Sequence, residues 1–238
     1  MPHQQKKINF STELAYLLGL IALALGTAFM EKADFGVSMV VAPAYVLYRV
    51  ISPQLPFFTF GMAEYALQAA LLLVLFALLR RVRLADLFSF ATAVIYGLLL
   101  DGAMLWIRSI PFDHIAMRLG GYVLGMLLCS LGVSLLFHTY IAPEVYELFV
   151  KRLSQKYGVP IHRFKTCYDC VSCVVGLTLS FLFFGFGQFV GVRLGTIVCA
   201  LVNGSLIGLI SRLLKKSVHF CDRLPLRSFF EGEAQKTP

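Results

Sequence analysis

Six stretches of this chain are apolar for long enough to cross a lipid bilayer: residues 13–31, 58–79, 85–107, 119–138, 167–189 and 191–212. The hydrocarbon core of a bilayer is about 30 Å thick, and a helix needs about 20 apolar residues to cross it. Inside lipid the backbone must satisfy its own hydrogen bonds, which makes runs of this length helical. The pattern predicts an all-α polytopic membrane protein. Composition agrees: 58% of the 238 residues are hydrophobic and 14% charged, against about 45–50% and about 25% in soluble domains. A soluble enzyme and a disordered chain are both excluded.

Two further stretches fall short of a span. Val37–Ile51 is apolar but only about 15 residues long and contains Pro43. Pro143–Tyr157 is amphipathic and carries Glu144, Glu147, Lys151, Arg152 and Lys156. Apolar runs this short mark interfacial or re-entrant segments more often than spans, so each is expected to be a short helix that does not cross.

The basic residues fix an orientation. With six spans and a cytoplasmic N-terminus, 16 of the 21 Lys and Arg fall in cytoplasmic segments; the outer five are Lys32, Arg49, Arg108, Arg118 and Arg193. Cytoplasmic loops carry such an excess. Both termini are therefore expected in the cytoplasm, with tails at 1–12 and 213–238 flanking membrane regions 13–107 and 119–212. Because most of the net charge of +8 borders apolar runs, a nucleic-acid partner is not indicated; the partner is the bilayer. No cleavable signal peptide is expected, since further spans follow the first run. The oligomeric state is not legible in the sequence.

The two membrane regions resemble each other. A shift of 106 places Gly19 on Gly125 and Gly26 on Gly132, a shift of 105 places Glu64 on Asp169, and a shift of 107 places Ala93 on Ala200. Ala42-Pro43 and Ala142-Pro143 occupy both short helices. Each half then contains three spans, an odd number, so the copies enter the membrane from opposite faces. The expected fold is six transmembrane helices in two inverted three-helix repeats, each with a short non-spanning helix, a plan common in secondary transporters.

The second half resembles the YitT/YczE-type bacterial membrane proteins in Phe164-Lys-Thr-Cys-Tyr-Asp169, Phe183-Phe-Gly185 and the run from Val190 to Gly204. In the first half Lys32-Ala-Asp-Phe-Gly-Val-Ser38 and Gly97-Leu-Leu-Leu-Asp101 look similar. Met39 and Val40 stand where that family usually has a Pro and a polar residue. The resemblance implies a multi-pass protein of the bacterial inner membrane. It supplies no substrate and no catalytic residue.

Ionisable groups within a bilayer cost about 2.5–3.5 kcal/mol near its centre on insertion scales, so each needs a reason. Three acids lie inside spans: Glu64, Asp101 and Asp169. At about 1.5 Å per residue, Glu64 and Asp101 lie at matching depth near the outer surface and are placed to meet. Asp169 enters from the inner side. These three, with Arg193 and Asn203, are the candidates for a solute or ion path between the repeats. Arg193 also reads as an interfacial anchor, Asn203 as an interhelical hydrogen-bond partner, Lys165 as an anchor at the inner surface, His138 as an interfacial histidine, and Asp34 as the cap of the first short helix.

Cys167, Cys170 and Cys173 are spaced for a cluster, but they open an apolar helix with no fourth ligand at hand, so packing is expected and no metal. No cofactor is implied. No Walker, G-x-S-x-G, H-E-x-x-H or G-x-G-x-x-G motif occurs, and an enzyme is not expected. The sequence favours a transporter or permease of a small solute, cationic or proton-coupled. A membrane accessory subunit acting with a partner protein is the alternative.

Overall fold

A computed structural model describes residues 8–81 and 83–231. Lys6, Lys7 and Lys236, counted above in the cytoplasmic tails, lie outside the described residues.

Six long helices form where the apolar runs lie. They are α1 (Thr12–Ala33), α3 (Phe60–Leu79), α4 (Leu84–Arg108), α5 (Ile115–Phe137), α7 (Ile161–Phe184) and α8 (Leu194–Ser217). All six are long and apolar enough to cross a membrane. Leu98, Leu105, Leu182 and Leu201 on their outer surface are all more than 60% exposed. A surface so rich in unburied leucine belongs against lipid tails. The chain is an integral membrane protein.

Two short helices interrupt the series: α2 (Ala42–Ile51, 10 residues) after α1 and α6 (Val145–Tyr157, 13 residues) after α5. At 1.5 Å per residue neither can cross a 30 Å core. The first is shorter than the 37–51 stretch expected, because Phe35–Val37 is held non-helical along the start of α8, where Gly195 N–H donates to Phe35 O and Val37 N–H to Gly191 O, both at 3.0 Å, and Met39–Val41 form a turn before the helix. Asp34 does not cap α2. It ends α1 in the left-handed conformation, φ 59°, and pairs there with Arg118 and Arg193.

The bundle is organised on α1 and α5, which touch backbone to backbone. A Cβ on Gly26 would stand 2.6 Å from Gly125 O, and one on Gly132 would stand 2.6 Å from Gly19 O. Gly19 faces Gly132 and Gly26 faces Gly125, so the two helices run antiparallel. Small residues permit this approach where lipid supplies no hydrophobic drive to association. Around this pair, α4 packs on α1 and α3, and α8 packs on α5 and α7. The short helices cross over: α2 lies against α3 and α7, α6 against α7 and α3.

One element departs from an all-helical expectation. Ile8–Ser11 (β1) and Val218–Cys221 (β2) form a two-stranded parallel sheet with Ile8 opposite Val218. Glu13 Oε1 accepts from Tyr140 O–H and from the Arg223 and Leu224 amides at 2.9–3.0 Å. A last helix, α9 (Arg227–Glu231), lays Phe229 and Phe230 on Phe88 of α4. The face carrying this sheet is called the terminal face below.

Candidate functional site

Both short helices begin inside the bundle, at the same place. The segment entering α2 (Ser38, Val40, Val41) and the first turn of α6 (Glu144, Tyr146, Glu147) line one small cavity of about 20 Å³. Its other walls come from Thr27, Tyr96, Cys129, Lys165 and Asn203. The space holds about one water molecule. Helix N-termini present unbonded amide hydrogens and a positive dipole end. Here two of them begin beside one volume lined mostly by buried side chains.

The side chains around it are acidic. Gln68 on α3 fixes the start of α6: its Oε1 accepts from Val145 N–H at 3.0 Å, and its Nε2 donates to Glu144 Oε2 at 3.2 Å. Tyr146 O–H donates to Glu64 Oε2 at 3.0 Å. On the other flank of α6, Lys165 Nζ donates to Glu147 Oε1 at 3.3 Å and lies 3.0 Å from Asp169 Oδ1, one turn along α7. Glu64, Gln68 and Asp169 are 0% exposed, Glu144 1%, Lys165 2% and Glu147 3%. Of these four buried carboxyl groups, Glu147 and Asp169 pair with the Lys165 ammonium, while Glu64 and Glu144 have only the neutral partners Tyr146 and Gln68 among the described residues. Glu64 Oε1, Glu144 Oε1, Glu147 Oε2 and Asp169 Oδ2 have no hydrogen-bond partner among the described residues. Burying ionised carboxylates unpaired costs several kcal/mol each. The cluster is therefore a place to hold protons or to receive a cation. The described residues present no group of three or more metal-ligating side chains arranged around a metal ion.

Of the residues singled out in the sequence, Glu64 and Asp169 enter this cluster, bridged by Tyr146 and Glu147 of α6. Asn203 stands at the cavity wall, where its Oδ1 accepts from Ser130 O–H at 2.8 Å. Asp101 does not meet Glu64. It binds the start of α3, accepting from Thr59 O–H at 2.7 Å and from Gly61 N–H at 3.0 Å. Arg193 is remote, on the face opposite the sheet, where its guanidinium and that of Arg118 both pair with Asp34.

Lys165 is not a surface anchor. Helix α7 starts at Ile161, earlier than the apolar run suggests, so the fifth residue already lies in the bundle. Lys165 also lines a second cavity, of about 460 Å³, with Gly204, Gly208, Ser211 and Arg212 between α7 and α8. It thus lines both that groove and the central cavity. Glu144 and Glu147 were hidden by the basic residues later in α6. The available signal was the gradient along that helix, with acids in its first turn beside Pro143 and bases only from Lys151 onward.

The profile of a family of unknown function, DUF6198, matches residues 10–212. The chain belongs to this family. The match takes in all six long helices nearly complete, both short ones and every residue of the buried cluster, while β2 and α9 lie beyond it. Comparison with curated proteins and with solved structures finds no match.

Proposed function

We propose that the protein is a proton-coupled transporter of a small solute, seen here in a closed state. The observation that carries this reading is the buried cluster of Glu64, Glu144, Glu147 and Asp169, in which Lys165 pairs with Glu147 and Asp169. In a low-dielectric interior such a set holds protons, and it releases them when water or a solute reaches it. Lys165 lines both the central cavity and the groove between α7 and α8; moving it aside would join the two.

The architecture proposed is a pair of inverted repeats, α1–α4 and α5–α8. It is supported by the order long, short, long, long in each half. It is supported also by the pairing of helices, since α1 with α4 answers α5 with α8 and α2 with α7 answers α6 with α3. Transporters of this plan bind solutes where interrupted helices meet near the midplane. The excess of Lys and Arg on the terminal face supports a cytoplasmic position for that face, and the resemblance to the YitT/YczE-type proteins supports the bacterial inner membrane as its location.

The test uses the purified protein in proteoliposomes loaded with a pH-reporting dye. Amino acids and organic cations are added outside one by one. A coupled solute acidifies or alkalinises the lumen, and Glu64→Gln or Glu147→Gln abolishes that response while the variant stays folded. Solute uptake with no proton movement would refute coupling. If nothing in the panel moves a proton or is taken up, the accessory-subunit reading takes its place.

A further inference from the structure

A cavity of about 780 Å³, separate from the acid cluster, opens at the terminal face. Its wall is basic: Arg81 and Arg83 from the α3–α4 turn join Lys151, Arg152 and Lys156 from the C-terminal half of α6, and Asp86 is the one acid among the described residues that line it. Asp86 is 1% exposed and is taken up by Arg152, whose Nε donates to it at 3.1 Å. Lys156 Nζ donates to Leu78 O at 2.9 Å, which ties α6 to the end of α3 while keeping its charge. Arg81 and Arg83 are exposed. Phe230 of α9 closes one side, and the inner end is Ala142-Pro143, directly before Glu144.

Five cations from two chain segments, against one acid among the described lining residues, concentrate positive potential in a concave space at the membrane surface. Guanidinium groups match phosphate oxygens with paired hydrogen bonds, and ammonium groups add point charge. We infer that this vestibule binds a phosphate-bearing anion, through Arg81, Arg83 and the basic half of α6. Its source is either an anionic lipid headgroup at the cytoplasmic leaflet, which attracts such clusters, or a soluble phosphate compound. The inference is independent of proton coupling, because no residue of the acid cluster lines the vestibule.

The experiment measures thermal unfolding of the full chain in nanodiscs. One arm uses phosphatidylcholine discs and adds inorganic phosphate, with sodium chloride at matched ionic strength as control. The other replaces part of the phosphatidylcholine with phosphatidylglycerol. The unfolding midpoint should rise in at least one arm. A rise with phosphate assigns a soluble ligand, and a rise with phosphatidylglycerol alone assigns a headgroup. The double variant Arg81→Gln/Arg83→Gln should lose the rise and match the parent in plain phosphatidylcholine, both side chains being exposed; Arg81→Gln alone should lose part of it. No rise in either arm, an equal rise with chloride, or an undiminished rise in the double variant overturns the assignment.

Discussion

Lys165 Nζ donates to Glu147 Oε1 at 3.3 Å, and both side chains are cut off from solvent, at 2% and 4% side-chain exposure. The bond joins a spanning helix to one that stops partway. The same ammonium also pairs with Asp169. Removing one partner of a buried pair typically costs about 3–5 kcal/mol, since the other is left uncompensated. Lys165→Met should therefore lower the unfolding midpoint in detergent sharply. Adding Asp169→Asn to that variant should recover part of the loss. If Lys165→Met unfolds at the parental temperature, the pair contributes nothing.

The crossing of α1 on α5 makes a second prediction. A methyl at Gly26 meets the backbone of α5, which cannot move aside as a side chain would. Overpacking of this kind costs about 1–3 kcal/mol, so Gly26→Ala should be destabilised and Gly26→Leu should fail to assemble. Gly102→Ala is the control, since a Cβ there meets nothing within 4 Å. Its stability should stay level or rise slightly, helix propensity favouring alanine.

Asp101 separates a stabilising role from a functional one. Its carboxylate bonds Thr59, the N-cap of α3, and the Gly61 amide. Asp101→Ala should cost about 0.5–2 kcal/mol, as lost helix caps do. The pH dependence of solute-driven proton movement should be unchanged, in contrast to Glu64→Gln. A change in that profile would draw Asp101 into the proton path.

His138, at the end of α5, gives a pH prediction with a definite sign. Its Nδ1 donates to Ser134 O at 2.7 Å, so in the neutral ring Nε2 is the acceptor, facing Ser211 Oγ at 3.3 Å. The ring stacks on Phe220 of β2. Burial, helped by the charge of Lys215 and opposed by the Ser134 bond, holds the imidazole below its ordinary value of about 6.5. The unfolded chain then takes up the proton first, and stability falls as pH drops below about 6.5. Thermal scans between pH 5 and 8 should show this slope. His138→Phe, which keeps the stack, should lose that part of it.

The spans were legible because hydropathy over 20 residues is a strong signal, and their ends agree with the structure to within a few residues for most helices. The start of α7 was missed by six, since His162, Arg163 and Lys165 depress the apolar average although Lys165 is buried. Glu64 and Asp169 could be found because an acid within an apolar run stands out. Glu144 and Glu147 stand out only through the charge gradient along α6, because that helix joins a buried acidic end to a basic end at the membrane surface and averaging along it yields an ordinary amphipathic helix. The parallel sheet had no local signal, its two strands being of four residues each and far apart in the chain.

That sheet has a consequence for synthesis. β1 leaves the ribosome before the first span but finds its partner only after the sixth span has been made; the neighbouring bond from Thr12 Oγ1 to Asp222 Oδ1 joins residues 210 positions apart. The two strands meet only if an even number of crossings has returned the chain to its starting side. A nascent chain that skipped one crossing would leave the strands on opposite sides of the membrane, unable to zip. The clasp thus works as a parity check on insertion, closing for chains threaded an even number of times and leaving two unpaired strand edges on the rest.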